Sequence, residues 1–150
     1  MKRKLMFAFF AAALSAAAFG EANAQAHFGL RGGLYMDQDE GFVGAHALTP
    51  IQRNWVFSPN FEYVFVETGS YFTINADLHY DFPSRSNTIF YLGGGLGISH
   101  SSFEETKNTD AGVNLLTGIS FSRRPIIPFI QAKVMMGDVT QLILGGGLTF

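Results

Sequence analysis

The stretch Tyr71–Phe82, YFTINADLHYDF, alternates without interruption: Phe72, Ile74, Ala76, Leu78, Tyr80 and Phe82 are apolar, and Thr73, Asn75, Asp77, His79 and Asp81 are polar. Successive side chains of a β-strand point to opposite faces, so this segment has one apolar and one hydrophilic surface. In a soluble sandwich or barrel the apolar set forms the core. In a membrane barrel it faces lipid, and the polar set lines the interior. The choice between these two decides what kind of protein the chain makes.

The amino terminus stands apart from this pattern. Lys2, Arg3 and Lys4 precede an Ala-rich apolar run, Leu5 to Gly20, and ANAQA then offers small-residue cleavage positions after Ala24 or Ala26. This is the layout of a secretory signal peptide, so residues 1–24 are expected to be a leader and 25–150 a single domain. The apolar run is too short, and too plainly followed by cleavage-type residues, for a transmembrane helix. Removing Lys2, Arg3, Lys4 and Glu21 turns 10 basic and 12 acidic residues into 7 and 11, a net charge of 7 − 11 = −4. That balance, with no basic tract, excludes a nucleic-acid partner. The chain has no Cys, which removes disulfide and thiolate chemistry.

After the leader no long helical period occurs. Eight strand-like runs are expected instead: 27–36, 41–48, 54–66, 70–82, 88–99, 112–122, 127–136 and 140–150, separated by turn-type segments such as PSRSN and RRP. Most of them exceed the ~5–6 residues usual in globular sheets and suit a tilted strand crossing a bilayer, which needs ~9–11. A two-residue turn at Thr68-Gly69 would pair Glu62 with Asn75 and Asn60 with Asp77, polar with polar, as a single register requires. In the last hairpin, keeping Lys133 and Phe150 on opposite faces demands a loop of odd length, for which a three-residue turn, Gly137–Val139, fits.

The two faces differ in bulk. One carries Phe57, Phe61, Tyr63, Phe72, Leu78 and Phe90 among many others; the other mixes polar residues with Gly93, Gly95, Gly97, Gly118, Gly145 and Gly147. A closed barrel of about eight strands has room inside only for side chains. The bulky set would overfill it and leave a surface of glycines, whereas the mixed set lets small residues make space for Arg31, Glu62, His79, Tyr91 and Lys133. Composition agrees: charged residues are 15% of the chain, against about 25% in soluble domains that cover themselves with Lys and Glu. The bulky face is therefore expected in lipid, and the fold to be all-β, a closed antiparallel up-and-down transmembrane barrel of about eight strands.

The last strand, QLILGGGLTF, places Leu144, Leu148 and Phe150 at alternate positions and ends the chain on an aromatic residue. It resembles the carboxy-terminal signature of bacterial outer-membrane β-barrel proteins. With the leader, the short connections and the YLGGGLGI strand, the whole mature chain resembles the small eight-stranded barrels of the OmpX/OmpA type. The resemblance implies residence in a Gram-negative outer membrane, with lipopolysaccharide and phospholipid as surroundings. It further implies that Leu144, Leu148 and Phe150 are read by the outer-membrane assembly machinery, after periplasmic chaperones, and that the protein is a monomer without a cofactor. Placing the amino terminus in the periplasm puts the outer loops at 37–40, 67–69, 101–111 and 137–139. Three of these are very short, unlike the long outer loops of members that act as adhesins or receptors.

The ionisable interior set is Arg31, Glu62, Asp77, His79 and Lys133, with His46 nearby by parity. Arg31, Lys133, Glu62 and Asp77 sum to zero charge. Buried charges are tolerated when paired, so these residues are expected to form a charge network that plugs the barrel, with Lys133 or Arg31 opposite Asp77. The alternative is a small channel through the same residues. An enzymatic alternative starts from His100 and Ser102 with Glu104 or Glu105, a set that a hydrolase triad requires. Lipid A deacylases among small outer-membrane barrels hold His and Ser two apart on a strand, whereas here the His is expected to begin the longest loop, so no catalytic residue is assigned. His27, His46, His79 and His100 lack metal-ligand spacing, and no metal is expected.

Overall fold

In a computed structural model, which describes residues 26–121 and 125–150, the chain forms eight antiparallel strands. They are β1 (His27–Tyr35), β2 (Glu40–Gln52), β3 (Trp55–Val64), β4 (Ser70–Phe82), β5 (Thr88–Phe103), β6 (Thr106–Phe121), β7 (Ile127–Met136) and β8 (Thr140–Thr149). Each pairs with its sequence neighbours, and β8 returns to β1, closing the barrel. Closure removes the open sheet edges from the body of the barrel. The leader expected at residues 1–24 lies outside the described residues.

Parity along the strands divides the side chains as the alternation predicts. On β4, Thr73, Asn75, Asp77 and His79 are buried in the interior, while Leu78 and Phe82 on the other face are exposed. The exposed outer surface includes Leu30, Phe61, Phe65, Leu92, Leu96, Leu115 and Leu144. A belt this apolar is solvated by lipid, because a monomeric soluble protein does not carry contiguous apolar surface of that extent. At the end of the barrel that holds both chain termini, Trp55, Tyr80, Phe82 and Phe90 pack in sequence around the rim, with ring centroids 5.1–5.5 Å apart. Aromatic residues of this kind line membrane–water boundaries.

Several strand limits differ from the sequence expectation. The polar run expected as a loop at 101–111 is strand: β5 and β6 pair continuously from Ser99↔Asp110 to Phe103↔Thr106, leaving only Glu104 and Glu105 as the turn. Glu104 accommodates the reversal with φ = 52°. Because β6 meets β7 only from Val113↔Met136 onward, this hairpin extends past β7 at the end opposite the termini, with Asp138 N of the β7–β8 turn donating to Asp110 Oδ2 at 2.9 Å. Likewise β2 continues to Gln52 through a register irregularity at Pro50. The ladder between β2 and β3 is interrupted opposite Pro59, between His46↔Asn60 and Thr49↔Phe57; proline has no N–H to donate there.

The β3–β4 register also differs. Glu62 faces Thr73, Asn60 faces Asn75 and Ser58 faces Asp77, each two positions from the expected partner. Residues 65–69 form the turn, and Phe65 N donates to Gly41 O of β2 at 2.8 Å instead of continuing the pairing with β4. Gly69 closes this turn at φ = 89°, a conformation open to glycine without steric penalty. A shift of two residues leaves every side chain on its face. In the last hairpin Met136 faces Thr140, so Gly137–Val139 is a three-residue connection, as parity requires.

Candidate functional site: the filled lumen

The interior is built in layers. Glu62 of β3 occupies the middle and is fully buried. Its Oε1 accepts from Lys133 Nζ of β7 at 2.9 Å and lies 3.3 Å from Arg31 Nε of β1. Its Oε2 accepts from the Tyr35 hydroxyl at 2.8 Å and from Thr73 Oγ1 at 3.3 Å. Four side chains from three other strands thus converge on one carboxylate, two of them cations. A buried carboxylate is stable in such a place only because its charge is paired and its lone pairs are occupied.

Asp77 lies in the same layer with different partners. Its Oδ2 accepts from Asn60 Nδ2 and its Oδ1 from Asn114 Nδ2, both at 2.8 Å. Asn75 donates to Asn60 Oδ1 at 3.0 Å and accepts from Asn114 Nδ2 at 2.9 Å. The carboxylate expected opposite Lys133 or Arg31 is therefore held by a ring of amides, and both cations go to Glu62. The reason is which side chains lie beside each carboxylate: Glu62 and Lys133 reach each other across the barrel, whereas Asp77 lies alongside Asn60 and Asn114. His79 is separate again. Its Nε2 lies 3.3 Å from Asp81 Oδ1, and its ring packs on Tyr91 with centroids 4.6 Å apart. Of the five residues singled out in the sequence, the structure brings Arg31, Glu62 and Lys133 into direct contact and leaves Asp77 and His79 in neighbouring clusters.

On the side away from the termini, a second layer is apolar: Tyr35, Phe42, Val64, Tyr71, Met135 and Ile143 pack together, all buried. The lumen-facing glycines leave no gap beside these large groups. The nearest atoms to a side chain added at Gly145 are on the Phe42 ring and the Gly32 backbone; at Gly118 they include the Tyr91 ring. Small beside large is how a narrow barrel fills its interior. Tyr35, Thr73 and Asn114 were not singled out as members of the central network. Their signal was present as parity, since Tyr35 lies four positions from Arg31 and Asn114 four from Gly118, and even spacing means a shared face.

Leu144 and Leu148 are exposed on the outer face of β8, and Phe150 N donates to Phe28 O of β1 at 2.8 Å. His100 is a strand residue and not the start of a loop, so it and Ser102 do lie two apart on one strand. His100 Nδ1 bonds the Thr109 hydroxyl at 2.8 Å, and its ring packs on Phe72. Among the described residues no carboxylate contacts this His, and no group of three or more His, Asp or Glu could hold a metal.

A closed eight-stranded barrel with a lipid-solvated exterior and a polar, filled interior defines a small transmembrane β-barrel protein. Solved structures share this fold. The N-terminal β-barrel domain of Pseudomonas aeruginosa OprF aligns with a TM-score of 0.73 at 11% identity, over 83% of this chain and 95% of that one. Neisserial surface protein A aligns with a TM-score of 0.55 at 16% identity, over 83% and 90%. Ail, the attachment invasion locus protein of Yersinia pestis, aligns with a TM-score of 0.55 at 14% identity, over 86% and 100%. No protein-family model and no curated protein matches the sequence. The chain has the eight-stranded fold of small outer-membrane barrels.

Proposed function

We propose that this protein is a monomeric integral protein of a Gram-negative outer membrane, with a structural and interaction role and a lumen that does not conduct. Its termini face the periplasm, its belt contacts lipopolysaccharide and phospholipid, and its carboxy-terminal strand is the segment that the assembly machinery reads after chaperone delivery. One observation carries the non-conducting reading. Tyr35, Glu62, Thr73, Asn75, Asp77, Asn114 and Lys133 are each at most 1% exposed, a continuous layer of bonded side chains across the barrel. An ion path would have to break the Glu62 cluster. The β5–β6 hairpin, which extends past β7, is the element best placed to meet a partner outside the cell. Among the described residues no carboxylate meets His100, whose Nδ1 bonds the Thr109 hydroxyl, and the protein is not an enzyme in this reading.

Planar-bilayer recording of the purified protein tests this. No stable porin-sized steps are expected. Reproducible single-channel conductance whose ion selectivity changes on Lys133→Glu would make the protein a channel, and loss of acyl chains from lipid A on overexpression, read by mass spectrometry, would make it a hydrolase.

A further inference from the structure

Between the central layer and the chain termini lies a cavity of about 170 Å³. Arg31 lines it and is only 6% exposed. Among the described residues this side chain makes one ionic contact, to Glu62, and its Nε has no hydrogen-bond partner. Glu62 is shared with Lys133, so two cations meet one carboxylate. A guanidinium carries five N–H donors in a fixed fork, and among the described residues this one's single ionic contact is to Glu62, which leaves donors for a ligand in the cavity that Arg31 lines. Gln131 lines the same space; its Oε1 accepts from the Tyr91 hydroxyl at 3.1 Å, which leaves its amide nitrogen as a further donor. His46, also on the wall, has a buried Nδ1 without a partner. The rest of the wall is largely apolar, with Val56, Ile127 and Phe129 prominent.

Donors at the inner end and hydrocarbon around them fit an anion with an apolar body. The volume sets its size, since a dry cavity of about 150 Å³ accommodates benzene. Asp81, also on the wall and held at 3.3 Å by His79, disfavours a second negative charge. We propose that this cavity binds a small monocarboxylate of benzoate size, its carboxylate on Arg31 and Gln131 and its body against Val56, Ile127 and Phe129. The site is independent of whether the central layer seals the barrel.

The test uses the mature full-length protein in nonionic-detergent micelles, with fluorine NMR line widths of 4-fluorobenzoate and of 4-fluorobenzyl alcohol as the neutral control. Saturable binding of the carboxylate is expected, unchanged in Asp138→Asn at the opposite end. Binding should weaken by roughly tenfold or more in Arg31→Gln, the scale of a hydrogen bond to a charged group, and similarly in Val56→Phe, which fills the cavity and keeps every charge. If Arg31→Gln does not reach the folded form, Val56→Phe decides alone. Equal binding of the alcohol and the acid, unaltered binding in Val56→Phe, or no saturation in the wild type up to about 10 mM, a Kd too weak for a built site, would overturn the proposal.

Discussion

Replacing Glu62 by Gln should be among the most damaging single changes in the interior, although it removes no volume. The carboxylate accepts from Lys133 at 2.9 Å and Tyr35 at 2.8 Å and faces Arg31 at 3.3 Å. A neutral amide there leaves two buried cations without a counter-charge, and breaking one partner of a buried pair costs about 3–5 kcal/mol. Lys133→Met removes one cation but leaves Glu62 with Arg31, Tyr35 and Thr73, so it should cost less, about 1–3 kcal/mol, the scale of a lost charged hydrogen bond. In the double variant Arg31 is the one charge left of the three that meet at Glu62, and it borders the cavity. The two changes should therefore be less than additive, by about 1–3 kcal/mol. Urea unfolding in lipid vesicles measures all three, with Trp55, the single tryptophan, as the reporter at the aromatic rim. Additivity within about 0.5 kcal/mol, or a Glu62→Gln cost below about 1 kcal/mol, would refute the shared-carboxylate account.

Other substitutions separate the two faces. Leu78→Arg places a cation on the lipid side of mid-β4 and should cost ~2–4 kcal/mol, visible as loss of the compact, heat-modifiable band on SDS gels. Asp77→Asn turns one of the acceptors of Asn60 and Asn114 into a donor; it should still fold, with a loss of about 1–3 kcal/mol in urea. Gly118→Val presses on the Tyr91 ring and the Ile130 backbone and should cost about 1–3 kcal/mol by overpacking, with the Tyr91–Gln131 bond broken in side-chain NMR. Deleting Phe150 should lower membrane-inserted protein in fractionated cells far more than it lowers the stability of what does insert; wild-type insertion would remove the terminal strand's role as the assembly signal.

The faces of this barrel were legible in the sequence because a period of two is rigid along a strand: once Phe72 points outward, Asp77 can only point inward, and once Ile130 points outward, Lys133 can only point inward. Axial position was not. A slip of two residues keeps polar opposite polar, so pairing Glu62 with Asn75 satisfied parity as well as the observed pairing with Thr73 does. The choice falls to the turn at 65–69, where Phe65 hydrogen-bonds to β2. The same ambiguity hid which carboxylate takes the cations, because Glu62 meets Lys133 across the barrel and not along a ladder. The polar run from Ser99 to Asp110 has the composition of a loop, yet its Ser and Thr residues pair continuously as strand. Backbone hydrogen bonds there do not depend on which side chains are apolar.

Paramagnetic relaxation in nanodiscs tests the face assignment and the seal together. A lipid spin-labelled near its chain end should broaden the methyl signals of Leu78, Leu92 and Leu96, which lie on the outer face. A water-soluble gadolinium chelate should leave the side-chain amides of Asn75 and Asn114 sharp, since both are 1% exposed within the central layer. Broadened Asn75 and Asn114 amides would mean that water reaches through the lumen, and unaffected Leu78, Leu92 and Leu96 methyls would mean that the apolar face does not meet lipid.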